Sequence, residues 1–428
     1  MKLLAGLIGI AACMQQAVSL TPPPGADALA KCSNVIVRKE IRSLSADEWN
    51  TYKDAVNSAY NDRWIDWFGF LHEQVAPVVH SNAVFLVFHR KLTRDYEKIL
   101  QRYSPSLAVP YWNEVLNYQD PTSSPVLSDN YFGGDGDAAN DGCVPSGIAK
   151  DWTLVFPQSH CLRRKYGEGM SMKSWYSPEF VTSILQSSGT YADFRSGLEN
   201  TVHGLPHLTL GGDMNTMHSP LDPVFWLHHA NVDRLFAQWQ AADPEKRTYE
   251  YNGYDIQNKA VSLDDYLTST TTHVYEVMRL GYGDMCYTYD TLQSGGASSN
   301  SLSRRQKCIP RPTKATQTVK SLPKTVLEKY YPSFAKSGVS SVFEIELPDI
   351  DPRHPMASDI NATAPATPWK PSEKMRGHMP KPATLTDEYI EMMYGNKSEV
   401  RSWERLAAEM VDELNAANYL SPYLYDRD

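Results

Sequence analysis

Two stretches of sequence decide the fold: HEQVAPVVHSNAVFLVFHRKLTRDYE, residues 72–97, and HGLPHLTLGGDMNTMHSPLDPVFWLHHANVD, residues 203–233. Together they hold eight of the 12 histidines in a chain of 428 residues. Because imidazole is the commonest protein ligand of transition metals, this concentration predicts a metal site. Each stretch contains three candidate ligands, which are His72, His80 and His89 in the first and His203, His207 and His229 in the second. The two trios predict a pair of metal ions.

The second stretch holds a histidine pair at helical spacing. His203 and His207 are four residues apart, so on a helix both side chains lie on one face and can bind one ion. Pro206 between them predicts a kink or a position in the first helical turn. His228 and His229 are adjacent and cannot face the same way. Only one of these two is a candidate ligand, and the other is expected to make a structural hydrogen bond.

The first stretch cannot be a single straight helix. His80 and His89 are nine residues apart and would point in opposite directions on one helix, so one of them must lie off it. Pro77 and the possible cap Asn82 predict that the helix begins near Asn82. His80 then lies in the loop before this helix, and His72 projects from the preceding helix.

The ligand type favours one metal. Trios made of imidazole alone, without clustered carboxylates, fit copper better than hydrolytic zinc or di-iron centres, and copper implies redox chemistry. Asp233, four residues after His229, could hold an imidazole or a neighbouring arginine in place. The chain contains no HExxH, GxGxxG, GxxxxGK[ST], GxSxG or CxxCH motif, so zinc-protease, dinucleotide, P-loop, serine-hydrolase and c-type haem functions lack their starting residues.

Composition and periodicity predict a mainly α-helical globular protein. Hydrophobic residues make up 42% of the chain, enough for a sizeable core, and the net charge of −9 disfavours nucleic acid or an anionic membrane as partner. A small molecule is the expected partner. Apolar residues recur at helical spacing in four segments, residues 46–67, 82–103, 178–187 and 220–241. Residues 117–169 are rich in Gly, Asp, Ser and Pro and predict a long ordered loop.

The tail is predicted to be an extension rather than a second enzyme. A Ser/Gly-rich and then basic hinge at residues 293–311 precedes a strand-like stretch at 339–347 and a Pro-rich irregular stretch at 351–382. Residues 386–418 are strongly helix-forming. The predicted organisation is a signal peptide at residues 1–19, a catalytic domain at 20–310, and an extension at 311–428 that packs on the core.

The N-terminus predicts secretion. Lys2 precedes an apolar run, and Ala17 and Ser19 place small residues at the −3 and −1 positions of a signal-peptidase site. Residues 10–13 also resemble a bacterial lipoprotein box, which is the alternative. The acceptor sequences at Asn361 and Asn396 are consistent with a secreted glycoprotein.

Five cysteines remain after removal of the signal peptide, so at most two internal disulfides can form. Cys143 and Cys161 flank one insertion and are a plausible pair. Cys32 could pair with Cys286 or with Cys308, and the sequence leaves this choice open.

Two longer signatures resemble those of the tyrosinase/catechol oxidase family of type 3 binuclear copper proteins. H-x4-F-L-x-F-H-R-x2-T-x3-E spans residues 80–97, and D-P-x-F-W-x2-H-x3-D spans residues 222–233. The CYTY sequence at 286–289 resembles the tyrosine motif that closes the family's catalytic domain, so the resemblance covers about residues 35–290. The tail resembles the helical extension of short secreted fungal members.

This resemblance implies a fold and a metal centre. The fold is a four-helix bundle around a dicopper site, with long loops and a helical C-terminal extension. One copper ion is assigned to His72, His80 and His89, and the other to His203, His207 and His229, which selects His229 over His228. Two copper ions per chain and O2 as co-substrate are expected, with ortho-diphenols or ortho-aminophenols oxidised to ortho-quinones.

Residues beside the ligands are expected to select the reaction. Glu199 matches the acidic residue that holds a water near the second copper in similar enzymes, whereas Gly204 stands where tyrosinases often have Asn. Without that amide the water is a poorer base, so weak hydroxylation of monophenols is predicted. A full tyrosinase with efficient monophenol hydroxylation is the alternative, and a hemocyanin-like oxygen carrier is a more remote one.

Three further residues are predicted to shape the pocket. Leu208 would narrow the access to the site, and Met217 could cover one copper with its thioether or only fill a gap in the core. Phe225, with Phe85, is a candidate aromatic wall of the site or an ordinary core residue.

Overall fold

The computed structural model describes residues 25–169, 172–293, 322–337, 378–419 and 421. These residues are mainly helical, as predicted. The helices up to residue 293 are α1 Ala46–Asn61, α2 Trp64–Val79, α3 Val84–Gln101, α4 Pro178–Ser187, α5 Tyr191–Leu198, α6 Gly204–Leu210, α7 Val224–Ala242, α8 Pro244–Arg247, α9 Val274–Met278 and α10 Asp290–Gln293. The later helices are α11 Lys324–Tyr330, α12 Pro332–Ser337, α13 Asp387–Met392 and α14 Lys397–Ala416.

The remaining elements are short. A π-helical turn, Glu199–His203, joins α5 to α6. The 3-10 turns are Ala26–Ala28, Ile41–Ser43, Glu114–Asn117, Pro121–Ser123, Pro125–Leu127, Ala138–Asn140, Tyr166–Gly169, Gly212–Asn215 and Ser219–Leu221. Two strands, β1 Ile36–Arg38 and β2 Tyr287–Tyr289, form a parallel pair.

Four helical segments form the central bundle, which confirms the predicted fold class. They are α2, α3, the continuous segment from α5 to α6, and α7, and α3 packs directly on α2 and α7. Trp226 of α7 stacks on Tyr96 of α3, with 3.8 Å between ring centroids, and meets Phe68 of α2 edge-on. This aromatic contact ties three of the four segments together beneath the histidines.

Local sequence sets where these helices begin. α1 begins with a capping box, in which the Ser45 hydroxyl accepts from the Glu48 amide and the Glu48 carboxylate accepts from the Ser45 amide. α4 begins with Pro178 at its first position, where a missing N–H costs no helical hydrogen bond. The predicted long loop, residues 117–169, contains 3-10 turns and isolated β-bridges but no α-helix.

Two disulfide bonds lie within the described residues. Cys143 is bonded to Cys161, as predicted, and Cys32 is bonded to Cys286. The second bond settles the choice that the sequence left open, and it lies next to the pairing of β1 with β2. Cys308 lies outside the described residues.

A buried charge cluster joins the strand pair to the bundle. Asp233 of α7 accepts hydrogen bonds from Arg90, Arg38, Tyr287 and Tyr289. Arg38 also bonds Glu97 of α3. Of the two roles that the sequence suggested for Asp233, holding an arginine is the one observed, because none of its hydrogen bonds goes to a histidine within the described ranges.

The described part of the C-terminal extension lies on the segment that runs from α5 to α6. Trp403 of α14 donates a hydrogen bond to the Ser196 hydroxyl at 2.8 Å. Tyr419 donates to the buried Glu179 of α4 at 3.2 Å. The Ser81 hydroxyl, in the loop before α3, donates to the carbonyl of Met393 at 2.8 Å. The extension therefore contacts both halves of the bundle.

Several sequence predictions fall outside the described residues. These are the signal peptide at 1–19, the hinge at 293–311 apart from its first residue, the strand-like stretch at 339–347, the Pro-rich stretch at 351–382 up to residue 377, and the acceptor Asn361. Asn396 is exposed, and its side chain caps α14 by accepting from the Glu399 amide. Within the described ranges, no helix is long and apolar enough to cross a membrane.

Candidate metal centre

The bundle brings the predicted ligands together in two clusters. In each cluster the side-chain atoms available to a metal lie within 4.8 Å of one another. The first consists of His72, His80 and His89, and the second of His203, His207, His228 and His229. All seven histidines are buried. The clusters are adjacent, because the His89 ring stacks on the His229 ring with 4.4 Å between centroids.

The first cluster is built from two helices and the loop between them. His72 lies in α2, and His80 follows the last residue of α2 with extended backbone, φ −111° and ψ 154°. His89 lies in α3, which begins at Val84, two residues later than predicted. The prediction that His80 lies off the helix is confirmed.

The second cluster depends on a change of helical pitch. His203 ends the π-helical turn, and Pro206 and His207 lie in the first turns of α6. A π-helical turn relaxes the hydrogen-bonding pattern ahead of a residue that has no N–H to donate, so the chain passes Pro206 without breaking the helix. Pro206 therefore holds the first-turn position that the sequence suggested.

Backbone carbonyls orient the imidazole rings. Five of the six predicted ligands have Nδ1 within hydrogen-bonding distance of a carbonyl oxygen, which leaves Nε2 directed at the cluster. The pairs are His72 with Met217 at 2.6 Å, His80 with Ala76 at 3.1 Å, His89 with Phe85 at 2.8 Å, His203 with Glu199 at 3.4 Å and His207 with Met214 at 2.7 Å.

One loop supports both clusters. The carbonyl of Met214 orients His207 in the second cluster, and that of Met217 orients His72 in the first. The loop is anchored by Asp213, which accepts from the Arg163 amide at 2.8 Å. Met217 is thus placed beside the first cluster through its backbone, and its half-buried side chain stays a predicted gate.

The adjacent residues His228 and His229 have different surroundings, as the sequence suggested, although both belong to the second cluster. His228 Nδ1 lies 2.5 Å from a carboxylate oxygen of Glu114, which is a structural hydrogen bond. His229 lies between the clusters, with its Nε2 3.4 Å from His207 Nε2. This position suits a ligand that faces a second ion, so His229 remains the predicted ligand.

Two phenylalanines lie between the clusters. The Phe225 ring is 4.1 Å from the His229 ring and 5.4 Å from the His72 ring, centroid to centroid. The Phe85 ring is 4.6 Å from the His203 ring and 4.7 Å from the His89 ring. Each contacts histidines of both clusters and is fully buried, so both roles suggested for them, core residue and wall of the site, fit their positions. Leu208 is buried on α6, next to His207.

Glu199 is held by two donors at the edge of the site. One carboxylate oxygen accepts from the Ser81 amide at 2.6 Å, and the other accepts from Arg195 at 3.0 Å. Burial raises the pKa of Glu199 to about 7, although Arg195 and the Ser81 amide both act to lower it. Because Ser81 follows His80, Glu199 connects the helix of the second cluster to the loop of the first.

Gly204 faces the C-terminal extension. A Cβ atom at this position would lie 3.1 Å from Leu385 Cδ1 and 3.3 Å from Tyr389 Cε1. The sequence placed residue 204 directly after the predicted ligand His203. The structure adds that the space a side chain would need there is already occupied by residues more than 180 positions later in the chain.

Comparison with known proteins identifies the family. The common central domain of tyrosinase matches residues 51–242. Tyrosinase-like protein phomQ1 of Diaporthe leptostromiformis is 32% identical over 340 residues, which cover 67% of this chain and 84% of that protein. The chain belongs to the tyrosinase family. Tyrosinase ustQ of Aspergillus flavus is 30% identical over 291 residues, or 60% of this chain and 80% of that protein.

A solved structure supports the fold of this tyrosinase-family oxidase. A polyphenol oxidase from Thermothelomyces thermophila superimposes with a TM-score of 0.50 at 23% identity, over 60% of this chain and 88% of that one. The family implies a dicopper centre. Within the described residues, the two ligand clusters consist of histidine alone, which is a donor set suited to copper.

The protonation states also fit copper. Burial lowers the pKa of His72 to about 4 and that of His80 to about 3. Burial and neighbouring histidines hold the pKa of the other four predicted ligands well below the usual value. Since metals bind the neutral imidazole, the apoprotein presents its ligands in the form that copper requires. Among the described residues, His203 Nε2 and His228 Nε2 are both buried without a hydrogen-bond partner, so either atom is available to a metal.

Sequence reasoning missed several residues that shape this tyrosinase site. Arg195 lies four residues before Glu199, so an i,i+4 ion pair was available as a signal. The carbonyls of Met214 and Met217 carry no such signal, because any residue presents a carbonyl. Leu385 and Tyr389 also gave none, since their approach to Gly204 depends on how the extension docks.

Protonation of Asp213 is expected to weaken the loop that supports both clusters. Burial alone would raise its pKa, but hydrogen bonds from His160, His218 and the Arg163 amide lower the pKa from 3.8 to about 2. A lowered folded-state pKa means that Asp213 stabilises the protein above about pH 4, and that this contribution is lost as the pH falls through about 2. The contribution is about 2 kcal/mol.

Urea unfolding of the wild type and Asp213→Asn tests this expectation. The difference in the free energy of unfolding should be largest near about pH 5 and should narrow as the pH is lowered toward about 3. The exposed Asp264→Asn variant serves as the control and should differ little from wild type throughout. A difference for Asp213→Asn that does not change with pH would contradict the expectation.

Proposed function

We propose that the protein is a secreted dicopper oxidase that converts small ortho-diphenols, or ortho-aminophenols, to ortho-quinones. The copper pair, when bound, passes electrons from the phenol to O2. For diphenols the reaction balances as two diphenols and one O2 giving two quinones and two waters. The ligands would be the six histidines that the family signatures select, His72, His80, His89, His203, His207 and His229.

The observation that carries the preference for diphenols is the surroundings of Glu199. Hydroxylation of a monophenol needs a base that removes the phenolic proton, whereas an ortho-diphenol already carries both oxygens. Gly204 has no side-chain amide that could hold a water against Glu199. Leu385 and Tyr389 occupy the space into which such a side chain would project. Both carboxylate oxygens of Glu199 already accept hydrogen bonds from Ser81 and Arg195. We therefore expect only weak monophenol hydroxylation.

One observation favours the alternative of a full tyrosinase. A pKa of about 7 leaves Glu199 partly ionised at neutral pH, which suits a general base for monophenol deprotonation. The ratio of monophenol to diphenol turnover separates the two candidates. Oxygen uptake with tyramine and with dopamine, which differ by one hydroxyl, gives this ratio directly.

Substitution Gly204→Asn is expected to raise the tyramine-to-dopamine ratio of kcat by about tenfold, because it supplies the missing amide. The added Cβ presses on Leu385 and Tyr389, which must move by a few tenths of an ångström, so a small loss of stability is also expected. Gly204→Asn combined with Leu385→Ala relieves one of these contacts. The matched control is Gly189→Asn, where an added side chain meets no neighbour.

Two outcomes would contradict the proposal. Wild-type protein that hydroxylates tyramine as fast as it oxidises dopamine would establish the full tyrosinase. Protein that takes up no oxygen with 4-tert-butylcatechol would point to an oxygen carrier.

Secretion is supported by the two disulfides, which form in oxidising compartments. N-terminal sequencing of protein recovered from the medium should begin at Leu20, after cleavage behind Ser19. Retention of the full chain inside the cell would contradict this part of the proposal.

A further inference from the structure

The C-terminal extension supplies side chains beside Glu199. Tyr389 lies in α13, and its Cε1 is 3.3 Å from where a Cβ of Gly204 would stand. Burial raises the pKa of the Tyr389 hydroxyl, and the charge of Glu199 raises it further, so the hydroxyl and Glu199 lie within electrostatic range of each other. Leu385, just before α13, fills the other side of the same space. The extension thus occupies the volume that a side chain at residue 204 would take.

The Tyr389 hydroxyl is a buried polar group without a hydrogen-bond partner among the described residues. Tyr389 is 4% exposed, and its oxygen makes no hydrogen bond with any residue in the described part of the chain. Leaving such a group unsatisfied is unfavourable, so a polar occupant such as a water is expected next to it. Burial, with the charge of Glu199, raises the pKa of Tyr389, so the phenol stays protonated and acts as a donor.

The position of Tyr389 relative to Glu199 is fixed from two sides. The Ser81 amide donates to Glu199, and the Ser81 hydroxyl donates to the carbonyl of Met393, in the turn that follows α13. On the other side, Trp403 of α14 donates to the hydroxyl of Ser196, three residues before Glu199. These contacts link the carboxylate and the extension through one residue, so the extension cannot shift without disturbing Glu199.

We propose that Tyr389 is a positioning residue of the active site, whose hydroxyl holds beside Glu199 the water that an amide at position 204 would otherwise hold. The inference rests on the proposed function. The Tyr389 O–H donates to the water, whereas the oxygen of a side-chain amide would accept from it, so this water is the weaker base. It passes a proton from an ortho-diphenol to Glu199 but deprotonates a monophenol poorly, in agreement with the weak monophenol hydroxylation expected above. The extension therefore contributes to the reaction and is more than a structural support. Substrate orientation is left to the bundle.

The test uses the full-length, copper-loaded protein and the variant Tyr389→Phe, which removes one oxygen and keeps the packing of the ring. With 4-tert-butylcatechol, kcat is expected to fall by about three- to tenfold, the usual effect of one hydrogen bond, while KM stays within about twofold. Copper content should remain at two ions per chain, and the Tm should be unchanged. A loss in kcat alone is the signature of a positioning role.

Tyr176→Phe is the matched control. Tyr176 is also buried, also has a hydroxyl without a partner among the described residues, and stacks on Phe180 of α4 rather than approaching Gly204. Its pKa is raised by burial and by Glu404, not by Glu199. Both kcat and KM should stay within about twofold of wild type, because removing this hydroxyl leaves the surroundings of Glu199 intact.

Three results would overturn the inference. They are an unchanged kcat in Tyr389→Phe, a loss of kcat accompanied by loss of copper or a lower Tm, and an equal loss in Tyr176→Phe. Failure of the proposed preference for diphenols looks different, because the wild type would then hydroxylate tyramine as fast as it oxidises dopamine. The comparison of the two variants with 4-tert-butylcatechol is unaffected by that outcome.

Discussion

Substitution His229→Ala is expected to remove one of the two copper ions and to lower oxidase activity by more than about a hundredfold. Losing a residue that only supports a ligand already costs about 10–100-fold, so loss of a ligand should exceed that range. His229 lies where the clusters meet, stacked on His89 and with its Nε2 3.4 Å from that of His207. Copper analysis of the purified protein and oxygen uptake with 4-tert-butylcatechol measure the two effects.

The neighbouring residue offers a matched control. His228→Ala removes an imidazole of the same size from the same helix, but His228 is engaged by Glu114 through Nδ1. This variant should keep two copper ions and lose stability rather than metal, since the buried Glu114 carboxylate loses its hydrogen bond with His228 and keeps the one from the Asn231 side chain. Loss of copper in His228→Ala, with retention in His229→Ala, would reverse the ligand assignment.

Substitution Asp233→Ala is expected to lower the free energy of unfolding by about 3–5 kcal/mol, the usual effect of breaking a buried ion pair. Burial alone would raise the pKa of Asp233, but Arg90 and Arg38 hold it below the usual value, so the carboxylate is ionised. Its removal leaves two guanidinium groups buried with one fewer anion. It also leaves the hydroxyls of Tyr287 and Tyr289 without their acceptor.

Urea unfolding of Asp233→Ala gives this loss directly, with the exposed Asp264→Ala as control. The control should change the free energy of unfolding by less than about 0.5 kcal/mol, as is usual for surface substitutions. Because Asp233 connects β1 and β2 to α7, the unfolding transition of the variant should also occur at a lower urea concentration. A loss no greater than that of Asp264→Ala would show that the cluster does not stabilise the fold.

Much of the ligand arrangement could be predicted from local sequence. The separation of His203 and His207 places both on one helical face, and the nine-residue separation of His80 and His89 forces one of them off the helix. Such conclusions need only helical geometry and the behaviour of proline, which depend on neighbouring residues. The same holds for the chemistry, because a set of imidazoles without carboxylates favours copper wherever the helices lie.

Contacts between distant segments could not be predicted in this way. Cys32 could have paired with Cys286 or Cys308, and the strand pairing beside Cys286 decides which sulfur is near. Asp233 could have held an imidazole or an arginine, and the docking of β1 brings Arg38 to it. In each case the sequence favours neither partner, and only the folded structure shows which one lies close enough to bond.

The surroundings of Glu199 and Gly204 show the same division most clearly. The sequence alone predicted six histidine ligands, a copper centre and, at position 204, a residue without a side-chain amide, because ligand type and spacing are local properties. It carried no sign that Leu385 and Tyr389 fill the space beside Gly204. That contact joins residues far apart in the chain, and it exists because the buried faces of α13 and α14 dock on the helix that carries His203 and His207.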